Sequence, residues 1–108
     1  MCLILFAWRS HPRYELVLAA NRDEFHDRPA AQASFWKEDP SILAGRDLQA
    51  GGTWMGVNRQ GLFAAITNSR ERARPAPWGG LSRGFPVREY LGSGDSPEHA
   101  AKHYAGEG

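Results

Sequence analysis

Cys2 carries the sole thiol of this 108-residue chain, and Asn21-Arg22-Asp23-Glu24 places four polar residues directly behind an apolar run. Each residue type has a chemical use if the two segments meet. A thiol attacks a carbonyl carbon only as its thiolate, and a guanidinium such as Arg22 favours that ionised form. Asp23 can anchor a cationic amine. Asn21 is an amide donor suited to orienting a carbonyl or steadying an oxyanion. If Met1 is removed, Cys2 becomes the N-terminus. Its own α-amine, with a reference pKa of about 8, can then act as the general base for its thiol. No histidine is needed for that chemistry. Each feature also has a plainer reading. A lone cysteine near a chain start is often a small buried hydrophobe, and Asn-Arg-Asp-Glu also suits a solvated turn with local ion pairs.

The elements decide whether the segments meet. Residues 2–9 read as a strand, residues 10–13 as a turn broken by Pro12, and residues 14–20 as a second strand. A turn centred between His11 and Pro12 sets Arg9 against Tyr14, Phe6 against Val17 and Cys2 against Asn21, with a slip of one or two positions open. Both strands are apolar on both faces, which predicts a sheet covered on two sides. Residues 21–30 read as a loop, and residues 31–36 as either a helical turn or an extended cover segment. Residues 42–45 are a short strand candidate and residues 45–52 a second loop. Residues 53–57 and 62–67 form a predicted hairpin, with Gly61 where a left-handed residue is wanted. Residues 68–80 are charged and Pro-rich and suit a mobile loop or a lid. Ser82 can cap a helix over residues 83–91. Gly92-Ser93-Gly94-Asp95 breaks the chain, and Ser96-Pro97 starts a second helix with Ser at the cap and Pro at the first position.

Composition narrows the functional classes. Thirteen basic and twelve acidic residues leave a formal charge of +1, which excludes a simple electrostatic nucleic-acid or polybasic membrane binder. Apolar runs are too short for a transmembrane span, and the N-terminal run lacks the basic flank and cleavage pattern of a signal peptide. A single cysteine allows no intramolecular disulfide and no thiolate metal cluster, so a reducing, cytoplasmic setting is expected. His99 and His103 have a metal-binding spacing without an evident third ligand, and no metal or cofactor is expected. Trp54 can line a ligand pocket or pack in a core, and Glu24 and Thr67 are further candidate ligand contacts. Arg70, Arg72 and Arg74 can meet an anion or form a solvated loop.

The segments Met1-Cys2-Leu3-Ile4, Leu16 to Phe25, Arg28-Pro29, Phe35-Trp36, Ile42 to Asp47, Gly51 to Val57 and Ala64 to Asn68 resemble, in order, the NRDE family. Arg83-Gly84 continues the likeness. The eukaryotic members of that family are the transport-and-Golgi-organization-2 proteins. The family is similar to N-terminal-nucleophile hydrolases. The resemblance implies an α+β fold, the first part of a four-layer αββα sandwich of mainly antiparallel strands. Residues 1–108 would form a single, partial domain. It also implies amide hydrolysis from Cys2 on an acylated small molecule, with Arg22 and Asp23 flanking the nucleophile and Asn68 at an oxyanion position. A second, non-enzymatic role is implied too: binding a lipid, acyl-CoA or haem, linked in eukaryotes to Golgi organisation and secretion.

Overall fold

A computed structural model describes residues 3–23, 26–67 and 84–104. Six consecutive apolar residues make β1, Leu3–Trp8, and a second apolar run makes β2, Leu16–Asn21. The two strands pair antiparallel, with Leu3 opposite Asn21, Phe6 opposite Leu18 and Trp8 opposite Leu16. The expected pairing of Phe6 with Val17 is therefore corrected by one position. The cause lies in the connection. Arg9 adopts a left-handed backbone, φ 52°, and its N–H donates to the Glu15 carbonyl at 2.7 Å. Seven residues are thereby enclosed, and the turn centres on Pro12. The Ser10 hydroxyl donates to the Trp8 carbonyl, and the rings of His11 and Tyr14 lie 5.1 Å apart. The expected two-sided cover is corrected as well. Leu5 is 62% exposed and Phe6 71% exposed, because among the described residues no second sheet packs across the ribbon.

The other four strands form one antiparallel meander: β3, Ala30–Phe35; β4, Ile42–Asp47; β5, Met55–Asn58; and β6, Phe63–Ala65. Residues 31–36, left open as helical turn or cover, are extended. β3 is an edge strand with every residue exposed, and its register shifts between Ala31 and Ser34. Such an irregularity bends an edge away from unwanted pairing. β4 continues two residues past the expected Gly45, because Asp47 still pairs with Ala30. In the β5–β6 turn, Gly61 takes φ 87°, a conformation that costs glycine little. The Asn58 side-chain oxygen accepts the N–H groups of Gln60 and Leu62, and its Nδ2 donates to the Leu91 carbonyl at 2.9 Å. One buried amide thus shapes a turn and ties it to a helix.

That helix is α1, Gly84–Ser93, which lies on β4, β5 and β6. Pro86 sits in its first turn, where a missing N–H is tolerated. Gly94, at φ 69°, ends it. α2 is Pro97–Tyr104, and the Ser96 hydroxyl caps it by accepting the His99 N–H at 3.2 Å. The expected cap Ser82 and the expected lid at 68–80 lie outside the described residues. Trp36, Ile42, Ala44, Val87, Tyr90, Leu91 and Ala100 form the buried core. Among the described residues, no helix is long and apolar enough to cross a membrane. The described architecture is α+β with two antiparallel sheets, compatible with part of an α+β sandwich.

The backbone of Gly52 meets that of Gly84. A Cβ on Gly52 would stand 2.7 Å from the Gly84 carbonyl carbon, and neither atom belongs to a flexible side chain. Gly52→Ala is therefore expected to lower unfolding stability by about 2 kcal/mol or more. A urea midpoint equal to that of the unaltered protein would rule out this close approach.

Candidate functional site

The end of the β1–β2 ribbon is where the expected chemistry gathers. Asn21 is the last residue of β2, directly opposite Leu3, and Arg22 and Asp23 follow it. Asn21 and Asp23 are exposed and Arg22 is half-buried. Each of the three engages at least one other group. Cys2, Glu24 and Asn68 lie outside the described residues. The ribbon thus brings Asn21, Arg22 and Asp23 to one strand end. Thr67 is exposed and follows β6. Trp54 is half-buried, and its carbonyl accepts the Ile66 N–H at 2.8 Å.

Next to that strand end opens a groove of about 850 Å³. Leu3 and Ile4 form one wall, Ile66 and Thr67 another, and Val87 with Tyr104 closes the helical side. Leu3 and Thr67 link the groove to the candidate residues, whereas Trp54 does not line it. Tyr90 and Tyr104 also border the groove, and burial pushes both hydroxyls above the usual phenol range, so both stay protonated at neutral pH. Neither tyrosine was marked by the sequence reading. The only signal was their placement on the inner faces of the predicted helices.

Arg28 was also missed as a positioning residue. Its Nε and Nη2 donate to the two carboxylate oxygens of Asp47, at 3.2 and 2.6 Å. The Leu48 N–H reaches the Pro29 carbonyl at 3.0 Å. Together these bonds clamp the far end of the 22–29 connection onto β4. Nineteen residues separate Arg28 from Asp47, and no local pattern joins them.

The Arg28 bond holds the Asp47 carboxyl below the usual carboxylate range. Burial opposes this, and the N–H groups of Gln49 and Ala50 reinforce it. A depressed folded pKa means stability that is present above the unfolded value of about 3.9 and lost as pH falls through the folded value. Asp47→Asn is expected to cost about 1–3 kcal/mol at pH 7. The gap from the unaltered protein should shrink steadily at acid pH. Urea titrations at pH 7 and pH 3 measure this, and a gap unchanged with pH would refute the clamp's ionic character.

His99 Nδ1 lies 2.6 Å from Asp95 Oδ2 on the exposed start of α2. Among the described residues, no three His, Cys, Asp or Glu side chains are arranged to hold a metal ion.

Comparison with known proteins places these features in a wider set. The model of a family described as "Transport and Golgi organisation 2" matches residues 1–108. The human "Transport and Golgi organization protein 2 homolog" is 40% identical over 98 residues, covering 84% of this chain and 35% of that protein. The Drosophila melanogaster "Transport and Golgi organization protein 2" is 33% identical over 111 aligned positions, covering 96% of this chain and 39% of that protein. The mouse homologue is 45% identical over 75 residues, covering 63% and 27% respectively. The chain thus spans between about a quarter and two-fifths of the length of these relatives.

Proposed function

The chain belongs to the Transport and Golgi organisation 2 family, and from that premise we propose that it acts as an N-terminal-nucleophile-type amidohydrolase on an acylated small molecule. The observation that carries the reading is the junction of the polar ribbon end with the apolar groove, through Leu3 opposite Asn21 and through Thr67 on the groove wall. An Arg22 guanidinium beside the Cys2 thiol would favour the thiolate that this chemistry needs. The apolar groove suits the acyl part of the substrate.

In this mechanism the Cys2 α-amine takes the thiol proton, and the thiolate adds to the amide carbonyl. Asn21 or Asn68 donates to the oxyanion. The C–N bond breaks as the α-ammonium, anchored by Asp23, returns its proton to the leaving amine. Water then adds to the acyl-cysteine, releasing the carboxylic acid and restoring the thiol. Glu24 and Thr67 are the remaining candidate substrate contacts, while Trp54, outside the groove lining, is left to support Ile66 through its carbonyl.

A second reading is favoured by the relatives' names, which speak of transport and Golgi organisation rather than of a reaction. There the same groove binds an acyl-CoA or haem without turnover. Intact-mass measurement of untagged protein separates the two. A free Cys2 amine and an added acyl mass after exposure to an activated acyl amide support hydrolysis. A retained Met1, with saturable binding of acyl-CoA or haem and no adduct, supports the carrier.

A further inference from the structure

A second site stands apart from the ribbon end, built on Trp36. The indole is 4% exposed, and its Nε1 donates to the Ala44 carbonyl at 3.3 Å. The Arg46 guanidinium, from β4, lies 4.1 Å from the indole centroid, and that of Arg88, from α1, lies 6.0 Å from it. Both arginines also converge on one glycine. Arg46 Nε donates to the Gly51 carbonyl at 3.2 Å, and Arg88 Nη1 stands 3.8 Å from where a Gly51 Cβ would be. Gly51 has φ 80° and carries no side chain to fill that approach.

The charge there is not balanced. Glu38 pairs with Arg46, and among the described residues Arg88 has no carboxylate partner. Neighbouring carboxylates are engaged elsewhere: Asp47 with Arg28, and Asp39 with Ser41. The charge of Glu89, next along α1, acts on Tyr104. Two guanidiniums therefore lie near one indole with a single carboxylate, Glu38, on Arg46, and burial followed by the Arg88 charge pulls the Arg46 pKa below its ordinary value. The Arg46 fork is held by the indole 4.1 Å away and by its bond to the Gly51 carbonyl, so a ligand meeting it costs that arginine little further freedom.

We propose that Arg46 and Arg88, which meet beside Trp36 and Gly51, form an oxyanion site for the phosphate group of a small phosphorylated molecule. A tetrahedral dianion offers enough acceptor oxygens for both forks at once and cancels their repulsion, which a single carboxylate does only in part. The site needs neither Cys2 nor the groove, so it stands whatever the fate of the hydrolase reading.

The test is a ¹⁵N-correlation titration of the whole chain that follows the Trp36 indole N–H. Inorganic phosphate, phenyl phosphate and acetate are each added against sodium chloride at matched ionic strength. The expected result is a saturable shift with either phosphate. A tighter phenyl phosphate isotherm marks an esterified phosphate as the ligand, and equal affinities mark the phosphate group alone; both support the site. Arg88→Gln should weaken binding about tenfold or more, with partial recovery in Arg88→Lys. Glu38→Gln, which removes the competing carboxylate, should tighten it. A shift no larger than with chloride, an equal response to acetate, or unchanged affinity in Arg88→Gln overturns the proposal. Arg88 and Glu38 are exposed, so these variants keep the core intact.

Discussion

Cys2→Ala protein is expected to take up no acyl mass, and its hydrolytic turnover to fall by about three orders of magnitude or more. The size follows from what is lost. Without sulfur there is no covalent intermediate, and the amide must be attacked by water held only by groove contacts and oxyanion donors. Cys2→Ser should also fail in large part, because a hydroxyl is a far weaker nucleophile at neutral pH. The N-terminal base adds a second expectation. Activity should rise with pH through the α-amine titration, whose reference value is about 8, since the deprotonated amine takes the thiol proton. A protein that keeps Met1, or carries one added residue before Cys2, should be as inert as the alanine variant. Circular dichroism of each variant checks that the fold survives. Turnover undiminished in Cys2→Ala would discard covalent catalysis and leave the groove as a binding site.

Leu91→Ala should reduce unfolding stability by about 2–5 kcal/mol, the range for emptying a buried leucine site. Leu91 is 1% exposed. It is the residue at which α1 meets the meander, because a Cβ on Gly56 would stand 3.0 Å from its Cδ1 and its carbonyl receives the Asn58 amide. Few large side chains are buried in this core, so neighbours have little apolar bulk with which to refill the cavity. Leu5→Ala, at a residue 62% exposed, should change stability by about 0.5 kcal/mol at most. Urea unfolding compares the pair. Equal losses at the two positions would mean that the ribbon, and not α1 on the meander, carries the stability.

The ribbon and meander also show where sequence reading reaches its limit. The apolar runs located β1 and β2 to within a residue or two, but their register was off by one. Apolar residues occupy both faces of the ribbon, so no pattern favours one pairing over its neighbour. Arg9 settled it by entering the left-handed region, and nothing about an arginine in sequence foretells that. β3 was ambiguous because Ala30 to Phe35 has little periodicity. It is extended only because β4 supplies partners for its backbone.

Much was determined by the sequence alone. Ser96-Pro97 starts a helix because cap and first turn are satisfied within four residues. Gly61 turns the β5–β6 hairpin because glycine bears φ 87° without a steric penalty. The ordered motif blocks foretold the family. Only the tertiary structure decided the rest: Arg28 on Asp47 across 19 residues, Asn58 on Leu91 across 33, and Arg46 with Arg88 on one indole. The physical reason is range. Caps and turns are closed by neighbours a few bonds away, whereas side chains far apart in the chain meet only where packing leaves them a common surface.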